Sequence, residues 1–85
     1  GTTPNRVTGL KAVRDTFDRR KVHLTWNRPE NATGYIIRYG IDSTRLYMSY
    51  MVYQDTSLTI NNLNARYDYY FTIDAFNENG YSLPL

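Results

Sequence analysis

Apolar and polar residues alternate with a period of two along most of this chain. Val22, Leu24 and Trp26 occupy every second position, with His23 and Thr25 between them. Tyr35, Ile37 and Tyr39 repeat the pattern between Gly34 and Gly40. Tyr69, Phe71, Ile73 and Ala75 repeat it again, ahead of the turn-forming run Asn77-Glu78-Asn79-Gly80. Leu58 and Ile60 give a shorter case. Successive side chains of a strand point to opposite faces, so this alternation predicts strands with one buried face. Leu46 to Tyr53 is predicted as a further strand, with apolar and aromatic residues on both of its faces. No window carries a helical stripe.

Between these runs lie polar connectors: Asp15 to Arg20, Asn27 to Thr33, Ile41 to Thr44, Gln54 to Thr56 and Asn61 to Arg66. Short strands at regular spacing, separated by turns, point to a sandwich or barrel rather than to strand–helix–strand units. The expected fold class is all-β. The expected organisation is a single domain over residues 1–85, with 1–6 as a lead-in and 7–85 as the sandwich. Pro4 discourages regular pairing in the lead-in.

Composition narrows how such a domain is stabilised. The chain has 85 residues and no cysteine, so neither a disulfide nor a cysteine-based metal site is available. A domain near the lower size limit must then rely on buried apolar and aromatic surface. Nine tyrosines, three phenylalanines and one tryptophan supply it. A net charge of +2, with acids and bases interspersed, gives none of the basic faces that nucleic-acid binding needs. Arg19-Arg20-Lys21 follows Asp15 and Asp18 and reads as a solvated turn. No apolar run approaches the roughly 20 residues of a membrane span, so direct membrane insertion is not expected. Gly1 in place of an initiator methionine suggests a processed or engineered start, and the chain reads as a segment of a longer protein.

Candidate chemistry is thin. His23 alternates outward, and no nucleophile is placed with it. Glu30, Asp42, Asp55, Asp68, Asp74 and Glu78 are dispersed, whereas a glycosidase needs two carboxyls roughly 5–10 Å apart across a cleft. Asp15 and Asp18 share a loop, but calcium takes roughly six to eight oxygens. No catalytic residue, metal site or cofactor is therefore expected. Asn31-Ala32-Thr33 is a glycosylation sequon on a predicted loop, of use only in a eukaryotic secreted protein.

Several of these stretches, in order, resemble a fibronectin type III domain, an immunoglobulin-like two-sheet antiparallel sandwich. Pro4 followed by Val7-Thr8-Gly9-Leu10-Lys11-Ala12 resembles its first strand. Val22 to Trp26 with Pro29 resembles its second, with Trp26 as the core tryptophan, and Gly34 to Tyr39 resembles its third. Leu63 and Tyr69 stand at the spacing of its tyrosine corner, which implies that the Tyr69 hydroxyl bonds backbone between Asn62 and Arg66. Ala65 replaces the family's proline and is expected to loosen that loop. The final strand is expected to be short or truncated, a stub of Tyr81, Leu83 and Leu85. Pro84 is expected at an edge, its missing donor facing solvent. The Arg-Gly-Asp tripeptide of some animal members is absent.

Tyr39 to Tyr53 and Tyr69 to Gly80 are similar to a bacterial subgroup: C-terminal modules of polysaccharide-degrading glycoside hydrolases. This resemblance implies an exported, non-catalytic accessory or spacer domain that docks against a neighbouring domain of its own chain. Interaction or adhesion within a multidomain surface protein is the alternative, and weak polysaccharide binding through exposed tyrosines is a third reading. By parity, Ile36, Arg38, Tyr70 and Asp74 share an outer face, where Arg38 and Asp74 could pair. Of Tyr47, Tyr50 and Tyr53 on the adjoining strand, at least one must face out. These seven residues form the candidate interaction surface. The same tyrosines could instead simply cover a thin sheet.

Overall fold

In the computed structural model, which describes residues 1–85, the chain forms seven strands, four of them the alternating runs. The seven are β1 (Lys11–Arg14), β2 (Val22–Thr25), β3 (Gly34–Gly40), β4 (Met48–Tyr53), β5 (Ser57–Ile60), β6 (Tyr70–Asn77) and β7 (Gly80–Tyr81). All pairings are antiparallel, in two sheets ordered β1-β2-β5 and β4-β3-β6-β7. The inward positions are those that alternation selects. Val22, Leu24 and Trp26 from one sheet meet Tyr35, Ile37, Tyr39, Val52, Ile73 and Ala75 from the other, with Val7, Ile60 and Leu63 completing the core. The Trp26 ring meets Tyr35 edge-on, centroids 5.2 Å apart. Burying each such side chain stabilises the domain by about 1.5–3 kcal/mol, which is the main source of its stability without disulfides.

Two strand boundaries differ from the sequence reading, and one glycine explains the first. The hydrogen-bonded part of β1 begins at Lys11 rather than Val7. Gly9 has a φ of 71° and lies against the Asn27 side chain, which breaks the strand while leaving Val7 fully buried. The Thr8 carbonyl instead accepts the Asn27 N–H, at 3.0 Å. β4 begins at Met48 because Asp42 to Arg45 close a tight turn of their own.

The last strand is short, as expected, but its continuation stays on the sheet. Ser82 is buried; its N–H donates to the Ala75 carbonyl at 2.8 Å and its hydroxyl accepts the Ala75 N–H at 2.9 Å. Continuing the β6–β7 register would set Pro84 opposite Ile73. Proline has no N–H to offer there, so the Ile73 carbonyl accepts that of Leu85, at 3.3 Å. The expectation that the missing donor of Pro84 faces solvent is corrected: it faces the sheet, and a one-residue offset restores the bond.

The lead-in and the loops are fastened by side chains. Asn77 and Asn79 amides both donate to the Thr2 carbonyl, at 2.8 and 3.1 Å, and Asn77 also donates to the Asn31 carbonyl at 3.0 Å. At the other pole the Tyr69 hydroxyl accepts the Asn64 N–H at 2.8 Å, within the Asn62–Arg66 window that the resemblance implies. Arg14 lies over the Tyr69 ring and donates to the carbonyls of Tyr67 and Asn64, each at 2.9 Å. Where the resemblance places a proline, Ala65 is thus bracketed by residues that Arg14 and Tyr69 hold. Tyr69→Phe removes only the hydroxyl and leaves the Asn64 N–H without that acceptor. It is expected to lower unfolding free energy by about 1–2 kcal/mol in urea denaturation, with an unchanged slope.

Candidate interaction surface

The outer face of the four-stranded sheet is fixed by the parity of β3. Tyr35, Ile37 and Tyr39 point inward, so Gly34, Ile36, Arg38 and Gly40 point outward, the first three with a neighbour on either side. Ile36 lies between Met51 and Asp74, Arg38 between Ser49 and Thr72, and Gly34 between Tyr53 and Phe76. Gly34 has no side chain, and the Phe76 ring occupies that space: a Cβ there would stand 2.6 Å from the ring. Phe76 in turn meets Tyr53 edge-on at 5.6 Å and Tyr81 at 6.0 Å. An aromatic row therefore crosses the sheet from β4 to β7. Edge-to-face pairs of this kind add about 0.5–1.5 kcal/mol each beyond burial.

Behind the row lies a half-buried ion pair. The Arg38 guanidinium donates to Asp74 Oδ2 across β3 and β6. The Arg38 side chain is 40% exposed but that of Asp74 only 8%, and Asp74 Oδ1 has no protein partner. An exposed pair of this kind would contribute roughly 0–1 kcal/mol. This pair is instead a covered carboxylate whose charge is answered by a single guanidinium, so losing Arg38 leaves that charge uncompensated.

The seven residues singled out from the sequence do not all share this face. Ile36, Arg38, Tyr53, Tyr70 and Asp74 do, with Tyr70 opposite Gly40 at the far end. Tyr47 is 83% exposed but stands ahead of β4, beside an open recess of about 300 Å³ lined by Gly40, Ile41, Asp42, Arg45 and Met48. Tyr50 is a correction. It pairs with Ile37, points into the sandwich and stacks on Tyr39, with centroids 6.0 Å apart and planes 9° apart. Burial, then the neighbouring Tyr50 phenol, pushes the Tyr39 hydroxyl up to about 12. The sequence reading missed Met51, Phe76 and Tyr81 on the outer face. The same parity that placed Tyr70 outward also places Phe76 outward; Tyr81 follows only from the β6–β7 register.

Other candidate groups have local duties. His23 lies 3.0 Å from both Thr59 Oγ1 and Asp15 Oδ2 on the exposed face of β2. Asp15 Oδ1 accepts the N–H groups of Phe17 and Asp18, while Asp18 pairs with Arg20 at 3.0 Å. These carboxylates shape a turn whose tip is the fully exposed Phe17. Asn31 sits on the β2–β3 loop at a φ of 64°, beside an open polar recess of about 590 Å³ formed with Thr2, Asn77, Glu78 and Asn79.

The sequence profile of the fibronectin type III domain matches residues 5–85. Protein sidekick of Drosophila melanogaster is 34% identical over 87 residues, covering 95% of this chain and 4% of that protein. Human neogenin is 36% identical over 66 residues, covering 73% of this chain and 4% of its own length. The chain thus spans a small fraction of the curated relatives it matches. A crystal structure of a Fn3-like protein from Clostridium thermocellum shares the fold with a TM-score of 0.79 at 24% identity, over 98% of this chain and 83% of that one.

Two outcomes follow from this geometry. Arg38→Ala is expected to destabilise by about 1–3 kcal/mol, and a double-mutant cycle with Asp74→Asn to give more coupling than the roughly 0–1 kcal/mol of an exposed pair. The Asp15 carboxyl is held at about 2, below its ordinary 3.8, first by His23 and then by the Asp18 and Phe17 N–H groups. A depressed carboxyl stabilises the fold above its unfolded pKa, and that contribution disappears as pH falls from 3.8 to about 2. Acid unfolding of Asp15→Asn should therefore be flatter than that of the parent across this window.

Proposed function

The chain belongs to the fibronectin type III domain family, and from that premise we propose that it is a non-catalytic protein-interaction module of a longer, exported protein. The outer face of the four-stranded sheet carries this reading. Tyr53, Tyr81 and Met51 each leave more than half of their surface exposed in one patch around Phe76 and Ile36. Aromatic residues, methionine and arginine are the types enriched where proteins meet, and a contiguous apolar patch marks a place for a partner. The relatives above 30% identity, in which this segment is a few per cent of the whole, support a module that works among other domains.

A second reading places the same face against a neighbouring domain in a bacterial polysaccharide-degrading enzyme. The Clostridium thermocellum likeness supports a bacterial setting for the fold, and the partner would then be part of the same chain. Both readings use one surface and differ in what covers it.

The test is Tyr53→Ala with Tyr81→Ala in the full-length parent. Each variant loses an edge-to-face contact with Phe76, so the isolated domain should stay folded but lose about 1–3 kcal/mol of stability, the baseline against which the other readings are taken. If the face engages a separate protein, its affinity should drop at least about tenfold, the effect of losing aromatic anchors. If the face engages a neighbouring domain, the joint melting of the two domains should separate. Unchanged binding and unchanged coupling of the two domains' melting would reject the face as an interface, and amide shifts at Tyr53 and Tyr81 with soluble xylan or arabinan would assign it to glycans.

A further inference from the structure

The Asn31-Ala32-Thr33 sequon is a motif that the interaction reading leaves unused, and the fold keeps it open. No other asparagine of the chain has serine or threonine two residues on, and the residue between is not proline. Ala32 packs against the core and anchors the β2–β3 loop, whereas Asn31 and Thr33 on either side of it are exposed. Asn31 adopts a left-handed φ of 64°, a conformation that asparagine tolerates better than most residues.

Backbone groups hold this loop, so the two side chains are spared. The Thr33 N–H donates to the Phe76 carbonyl at 2.9 Å, and the Thr33 carbonyl accepts the Gln54 N–H at 3.1 Å. The Asn31 carbonyl accepts the Asn77 side-chain amide at 3.0 Å. The Asn31 amide nitrogen has one long contact of its own, 3.4 Å to Thr2 Oγ1. The Thr33 hydroxyl bonds nothing within the chain. A group attached at Asn31 Nδ2 therefore displaces no bond on which the loop depends.

We propose that Asn31 is an acceptor for an N-linked oligosaccharide, whose first sugar seats in the polar recess beside it. This rests on the reading of the chain as part of an exported protein, in the eukaryotic setting of its relatives above 30% identity. In the transfer, Asn31 Nδ2 attacks the anomeric carbon of a lipid-pyrophosphate-linked oligosaccharide. An N–C bond forms, the C–O bond to pyrophosphate breaks, the lipid pyrophosphate leaves, and Nδ2 gives up one of its two protons to solvent. The Thr33 hydroxyl completes the sequon that the transferase reads. The product fits the fold, because Thr2, Thr33, Asn77, Glu78 and Asn79 line the recess and no hydrophobic residue does. The Glu78 carboxylate and Asn79 Oδ1 accept no bond within the chain, and sugar hydroxyls are donors that match them. Asn79 already holds the Thr2 carbonyl, so a sugar seated there joins the lead-in to the β6–β7 turn.

Secretion of the 85-residue chain from insect cells behind a cleavable leader tests the acceptor independently of how the parent is exported. The secreted chain is expected to lose mass on treatment with a peptide–glycan amidase, which converts Asn31 to aspartate. Asn31→Gln and Thr33→Ala should each be secreted without the glycan, and Thr33→Ser should keep it. Circular dichroism checks folding, and Thr33→Ala removes only an unbonded hydroxyl and a methyl group at the surface, so it serves if glutamine is not tolerated at the left-handed position. After trimming to a single linked sugar, the amides of Thr2, Glu78 and Asn79 should shift relative to Thr33→Ala, while those of Phe17 and Asn64 at the other pole stay in place. A folded, secreted chain that carries no glycan at Asn31 would overturn the proposal. A linked sugar that leaves Thr2, Glu78 and Asn79 unmoved would overturn its seating in the recess. Failure of the exported reading shows separately, as a full-length parent retained in the cytosol while the leader-directed chain is glycosylated.

Discussion

β3 is hydrogen-bonded on both sides and buried on one face, and the parity of its seven residues constrains the rest of the molecule. Tyr35 and Ile37 are fully enclosed, and Tyr39 nearly so. A one-residue slip would expose all three and bury Arg38 in their place. With that register held, β4 and β6 have no freedom in which side chains they bury. Val52 and Tyr50 turn inward beside Tyr35 and Ile37, and Met51 and Asp74 turn outward beside Ile36. The core and the candidate interface are two consequences of one alternation.

A domain without disulfides must hold its loops by other means. Here polar side chains bond the backbone of distant segments. Arg14 on β1 ties down the loop after β5, Tyr69 caps the same loop, and Asn77 and Asn79 clasp the lead-in to the β2–β3 loop. Each satisfies carbonyl or amide groups that the strand ladders leave over, for about 0.5–1.5 kcal/mol net. Their shared effect is positional. They keep the two poles fixed relative to the sheets, so that the outer face stays preorganised.

The outer face combines features that a purely covering surface does not need. A glycine is roofed by Phe76, and its two aromatic neighbours remain more than half exposed. A carboxylate is covered yet answered on one oxygen alone. Exposed aromatic area favours removal from water, while the Arg38–Asp74 pair resists indiscriminate burial. These are the features on which the proposed interaction role rests.

Period-two alternation was enough to identify β2, β3, β5 and β6 and most of the core, because side-chain direction in a strand depends on sequence parity alone. The resemblance carried by Leu63 and Tyr69 likewise implied where the hydroxyl of the corner bonds, a contact that spans only five residues. Parity failed for β4, where both faces are apolar. Tyr50 could be assigned inward only once the register opposite Ile37 was known. Arg14, Ser82 and the offset at Pro84 were also beyond the sequence, because each depends on which backbone group from a distant strand stands opposite. The burial of Asp74 is of the same kind: alternation gave its side, but the packing around it decided its exposure. Local periodicity determines direction; only the assembled sheet determines neighbours, and the candidate surface is made of neighbours.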